Sequence, residues 1–210
     1  MSLTAAARRP VLADLIARPS HRVRALAMDA TLVFAGVVVV ALLAKVSFFI
    51  GPVPITGQTL GVIVVGAALG ARRGAAALTT YMLAGLAGAP VFAGLTAGPA
   101  YVLAPSFGFV LGFIPAAFLA GWFAERAWDR TPWLAFAGFV LASVVPFLIG
   151  VPYMALILAT VLAQPVTVAS VLEAGVWPFI VPGLIKAGFA ALLVPGAWLA
   201  VRAADRRKDA

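Results

Sequence analysis

Long apolar runs, separated by short polar, glycine-rich or proline-rich segments, set the plan of this chain. The runs cover about Leu26–Ile50, Gly57–Leu69, Ala75–Ala87, Val102–Ala124, Trp133–Ala163 and Phe179–Val201. Several approach the ~20 residues that carry a helix across a bilayer. The pattern predicts an all-α membrane protein with six transmembrane helices. The fifth run is longer than one span needs, and Pro146 and Pro152 predict a kink or a strong tilt there. Gln164 to Trp177 reads as a surface segment, with a short interfacial helix and Glu173 in water. Gly66, Gly70 and Gly74, and again Gly108 and Gly112, recur every four residues, a spacing that lets helices approach closely.

One interruption is unlike the others. Gly51-Pro-Val-Pro-Ile-Thr-Gly-Gln-Thr-Leu60 suits neither helix nor strand, because Pro52 and Pro54 each remove a backbone N–H and bias the preceding residue towards extended backbone. It also offers Thr56, Gln58 and Thr59, whose polar groups need partners. Such a segment survives at membrane depth only against protein or beside a polar cavity. It reads either as a loop closing over a small ligand or as an ordinary loop among headgroups.

Composition agrees with the class, since 64% of residues are hydrophobic and 10% charged. With no cysteine, disulfides and thiolate chemistry are excluded. The net charge of +8 is a matter of topology. All lysines and arginines except Lys45 and Lys186 fall in the N-terminal tail, the Arg72/Arg73 turn, the Arg126/Arg130 turn and the C-terminal tail. Six helices put those four segments on one face, which the positive-inside rule makes cytoplasmic. No nucleic-acid partner is expected. The basic start lacks a cleavage site before a soluble domain, so the first run is expected to be a retained span. Residues 1–24 then form a basic cytoplasmic tail, 25–202 the membrane domain and 203–210 a second basic tail.

The same topology brings the proline loop, the uncharged Gly88–Pro99 loop and Lys186 together on the outer face. A lysine there suits a ligand carboxylate. It also reads as a side chain snorkelling to the headgroups, the simpler reading for Lys45. No phosphate-binding Gly-x-x-x-x-Gly-Lys-Ser/Thr run is present, so the chain is not expected to hydrolyse ATP. His21 is the only histidine and lies in the basic tail, and no cluster of ligating or catalytic side chains accompanies it. No enzyme activity, metal or cofactor is expected. Without an intramembrane carboxylate chain, a proton-coupled carrier is disfavoured.

Further motifs extend the picture. The proline run, Gly66-Ala-Ala-Leu-Gly-Ala-Arg-Arg-Gly74, Tyr81 to Gly94, Ala104-Pro-Ser-Phe-Gly-Phe-Val-Leu-Gly-Phe113, Gly150-Val-Pro-Tyr153 and Gly175-Val-Trp-Pro-Phe179 together resemble the biotin-transporter (BioY) family. Those proteins are substrate-binding S components of energy-coupling-factor transporters. The resemblance runs from about residue 25 to 200. It implies a six-helix S component in the bacterial cytoplasmic membrane, binding biotin near the outer face under loops 51–58 and 88–101. Pro54, Thr56, Gln58, Tyr81, Phe92, Tyr101, Ser106 and Lys186 are the expected ligand contacts. An energy-coupling transmembrane subunit and ABC-type ATPase subunits are the implied partners. The family commonly docks its partner through Ala-x-x-x-Ala in the first helix; that motif is not cleanly present here, and Thr31 and Ala35, at small-x-x-x-small spacing, read either as the docking contact or as ordinary helix packing. One departure is visible: where the family has Pro-Gly-Asp-Leu-Ile-Lys, this chain has Val181-Pro-Gly-Leu-Ile-Lys186, with Gly183 in the aspartate position. That glycine keeps an S component for another small carboxylated vitamin in view. A non-transporting membrane scaffold is the reading of a different class.

Overall fold

The computed structural model describes residues 8–16 and 19–208; Arg18 and both chain ends lie outside the described residues. Its helices are α1 (Arg22–Ala44), α2 (Gln58–Leu69), α3 (Ala71–Leu86), α4 (Phe107–Ala124), α5 (Pro132–Thr160), α6 (Val168–Gly175) and α7 (Trp177–Lys208). By length and hydropathy, α1, α4, α5 and the Val168–Arg206 stretch containing α7 suffice to cross a membrane. α2 and α3, at 12 and 16 residues, are shorter. At 1.5 Å per residue they reach about 18 and 24 Å, against a hydrocarbon core of about 30 Å.

α4 is the central helix, with 67% of its apolar window buried against 17% for α1. Glycine makes that centrality possible. A Cβ on Gly66 would stand 2.4 Å from the Ala117 carbonyl oxygen, so α2 meets α4 backbone to backbone. Gly70 serves the connection instead, turning the chain from α2 into α3 at φ +85°. The Gly66/Gly70 spacing therefore combines one packing glycine with one turn glycine.

The proline segment contains more regular structure than its composition predicts. Ser47–Phe48 (β1) pairs antiparallel with Ile55–Thr56 (β2), Ser47 opposite Thr56. The Gly57 N–H continues the pairing to the Val46 carbonyl at 2.8 Å. Both prolines fall in the connecting turn, where no ladder donor is needed. Helix α2 begins at Gln58, whose N–H, an orphan at a helix start, is accepted by Thr56 Oγ1 at 3.2 Å. Elsewhere, α5 is one continuous 29-residue helix through Pro146 and Pro152. The expected surface segment contains α6, whose first turn is capped by the Thr167 hydroxyl accepting from Ser170 N–H. α7 starts at Trp177, ahead of Pro178 and two residues before the expected Phe179, so Lys186 stands in its third turn.

The basic turns do converge at one end. Arg73 pairs with Asp14 and Asp29, each at 2.9 Å, and Arg8 pairs with Glu125 at 3.2 Å. The Glu125 carboxylate also accepts the Ala71 N–H at 2.9 Å, placing negative charge at the start of α3. Asp129, which lies in the Arg126/Arg130 turn, is fully buried and accepts from Trp198 Nε1 at 2.6 Å. Burial raises its carboxyl above the ordinary value of 3.8, partly offset by the Trp198 hydrogen bond and by Arg130.

Candidate functional site

At the end of the bundle away from the ion pairs, the β1–β2 hairpin and the 88–103 segment cover a cavity of about 50 Å³. Pro54 and Thr56 reach it from the hairpin, Gln58 from the start of α2, Tyr101 and Ser106 from the segment before α4, and Lys186 from α7. Six of the eight expected contacts thus share one space. Phe109, Phe113, Phe147 and Phe179 supply much of its apolar wall. The two covering segments also touch each other, with Phe49 packed so closely on Gly94 that a Cβ there would lie 2.9 Å from Cζ.

Tyr81 and Phe92 stand behind the cavity, both with no exposure. Phe92 stacks on Tyr101 with ring centroids 4.3 Å apart and meets Tyr81 edge-on at 5.7 Å. They hold the wall residue Tyr101 in place rather than lining the space themselves. Tyr101 shares a hydrogen bond of 2.9 Å with Ser106, and burial raises its phenol above the usual tyrosine value. Thr56 Oγ1 donates to Gln58 Oε1, Gln58 Nε2 to the Tyr81 hydroxyl, and that hydroxyl to the Val91 carbonyl, each at 2.8 Å. The polar side of the cavity is therefore wired to both covering segments.

Lys186 Nζ donates to Thr59 Oγ1 at 3.1 Å. Among the described residues no carboxylate forms an ion pair with it. A partly buried ammonium with one neutral acceptor retains two donors and an uncompensated charge. Thr59 was visible as a polar group of the proline segment, but nothing local links it to a lysine 127 positions away. Phe147 and Phe179 carry no sequence signal of their own. Gly183 borders a second, apolar furrow between α5 and α7, and beyond the adjoining backbone of α7 and its own chain neighbours no described atom lies within 4 Å of where its Cβ would stand. On α1, Thr31 and Ala35 are exposed, while Gly36 and Val37 face the bundle.

A sequence model of the BioY family matches residues 16–203, nearly the whole described chain. The chain belongs to the BioY family. A BioY from Rhizobium etli, described as a biotin transporter, is 38% identical over 171 residues, covering 78% of this chain and 88% of the relative. A probable biotin transporter BioY from Pyrococcus horikoshii is 33% identical, covering 80% and 94%. A crystal structure of the S-component for biotin from an ECF-type ABC transporter superposes on this BioY chain with a TM-score of 0.65. It covers 85% of this chain and 94% of its own, at 22% identity, and so shows the shared fold.

Proposed function

We propose that this chain is the substrate-binding S component of a biotin uptake system, and not an enzyme. The observation that carries the reading is the cavity itself. An aromatic-walled space in a BioY-family chain presents one lysine, with no carboxylate partner among the described residues, beside a short run of fixed hydrogen-bonding groups. The bicyclic head of biotin would bury apolar area against Tyr101, Phe109 and Phe179, at about 25 cal/mol per Å². Thr56, Gln58 and Ser106 would read the ring, and Lys186 would donate to a ligand oxygen.

Ligand cavities usually measure about 300–1,000 Å³. The described cavity is far smaller, so capture requires it to widen. Separation of Phe49 from Gly94 is the movement that opens the roof. In this reading the chain lies in the bacterial cytoplasmic membrane. All six longer helices cross it, the ion-paired end and both termini are cytoplasmic, and the Gly70 turn and the hairpin make up for the shortness of α2 and α3. The energy-coupling transmembrane subunit docks along the outward face of α1 at Thr31 and Ala35, and separate ATPase subunits supply the work. The reading with another small carboxylated vitamin rests on Gly183 alone.

Thermal unfolding of the detergent-purified protein tests the proposal. Biotin that binds the native state raises the midpoint as its concentration exceeds Kd. An unmoved midpoint at millimolar biotin would refute the assignment. A rise with a different vitamin would redirect it.

A further inference from the structure

Tyr81 touches neither the cavity nor solvent, yet it ends a hydrogen-bond chain that starts in the cavity wall. The direction of every bond in that chain follows from its far end. The Val91 carbonyl only accepts, so Tyr81 donates its single proton there. The phenol oxygen is left to accept from Gln58, and only the NH2 half of an amide can donate. Nε2 therefore faces Tyr81. Oε1 faces the other way and takes the Thr56 proton, while the Thr56 oxygen accepts the Gln58 backbone N–H. Tyr81, Gln58 and Thr56 are 0%, 4% and 9% exposed, which leaves no bulk water to let one member reverse.

Resting on the binding reading above, we propose that Tyr81 is the positioning residue that fixes which way the Gln58 amide faces the ligand, and so sets selectivity for a cyclic urea. The chain uses one N–H of Nε2 and one lone pair of Oε1, leaving one of each unspent. A cyclic urea carries a ring N–H on either side of its carbonyl, and in a pose fixed by the aromatic walls only one of those edges meets that pair, as donor to acceptor in one order. Were the amide reversed, donor would face donor. A site built on such pairing rejects analogues that lack the matching group.

The test compares the full chain in detergent with its Tyr81→Phe variant, measuring affinity for biotin, 2-iminobiotin and desthiobiotin by calorimetry. Iminobiotin replaces the ring carbonyl with a donating nitrogen, whereas desthiobiotin keeps the urea and lacks the sulfur ring. Y81F is expected to reduce the preference for biotin over iminobiotin at least tenfold, and to leave the biotin-to-desthiobiotin ratio within about twofold. Equal loss for all three ligands would show a merely structural tyrosine and overturn the proposal. Gln58→Glu supplies a second line, because a carboxylate has no orientation to fix. It should shift preference towards iminobiotin, and adding Y81F should move that preference no further; additive effects would overturn the proposal. Should Y81F fail to fold, Thr56→Val decides from the other end. With Tyr81 and Val91 intact, affinities should fall together and the preference should persist, and its loss would sink the idea. Wild-type protein that binds no biotin refutes the binding reading instead, a separate result.

Discussion

Replacing Lys186 by methionine separates the cost of a partly buried charge from its use. Lys186 borders an apolar furrow that Leu43, Ile185 and Phe189 also line, and methionine keeps an apolar stem of similar length there. The variant loses one hydrogen bond to Thr59, worth about 1 kcal/mol. It also removes an ammonium whose desolvation no carboxylate among the described residues offsets, a penalty of several kcal/mol in buried settings and less at this partial exposure. The ligand-free variant should therefore be as stable as wild type or more so, by about 0–2 kcal/mol. With biotin the sign reverses. A charge-assisted hydrogen bond is worth about 1.5–3 kcal/mol, so Kd should weaken roughly 10- to 150-fold. At a biotin concentration near 1,000 times the wild-type Kd, ligand stabilisation of about 4.1 kcal/mol should fall to about 1.2–2.6 kcal/mol. Paired melting curves with and without biotin read both quantities. A ligand-free Lys186→Met midpoint clearly below wild type would mean the ammonium is structurally satisfied. An undiminished biotin shift would remove Lys186 from the site.

Two further outcomes follow from packing and from burial. Gly66→Ala places a Cβ 2.4 Å from the Ala117 carbonyl and should cost about 1–3 kcal/mol, whereas Gly183→Ala meets nothing and should change stability by less than about 0.5 kcal/mol; comparable midpoints would refute the α2–α4 contact. The raised Asp129 carboxyl means the folded state holds its proton to higher pH than the unfolded chain does. Its contribution is most favourable below 3.8 and is lost as pH rises through the raised native value, so stability falls with pH across that window. Asp129→Asn should abolish that share of the slope, seen as a smaller midpoint difference between pH 4 and pH 7 than in wild type; an unchanged slope would show the burial to be inconsequential.

Much of this protein was legible locally. Helix ends fall where glycine, proline and charge interrupt apolar runs, because backbone constraints act within a few residues. The clustering of basic turns marked one end of the bundle, and the polar side chains of the proline segment, readable as a loop over a ligand or as a loop among headgroups, lie beside the cavity at the other. Even so, proline content hid the hairpin, since both prolines occupy a turn that needs no donor from them.

Burial was the part that local sequence left open. In a soluble chain an apolar residue points inward, but lipid is as apolar as a protein core, so hydrophobicity does not separate Phe147 and Phe179 in the cavity wall from Phe118 and Leu148 facing outward. The placing of Tyr81 and Phe92 behind the wall, the burial of Asp129 under Trp198, and the meeting of Lys186 with Thr59 are all products of helix docking. The residues' types and the succession of apolar helices were determined along the chain. Their partners, and hence the direction of each hydrogen bond at the site, were decided only when α2, α3 and α7 came together, because contacts between distant positions are set by packing and not by any local preference.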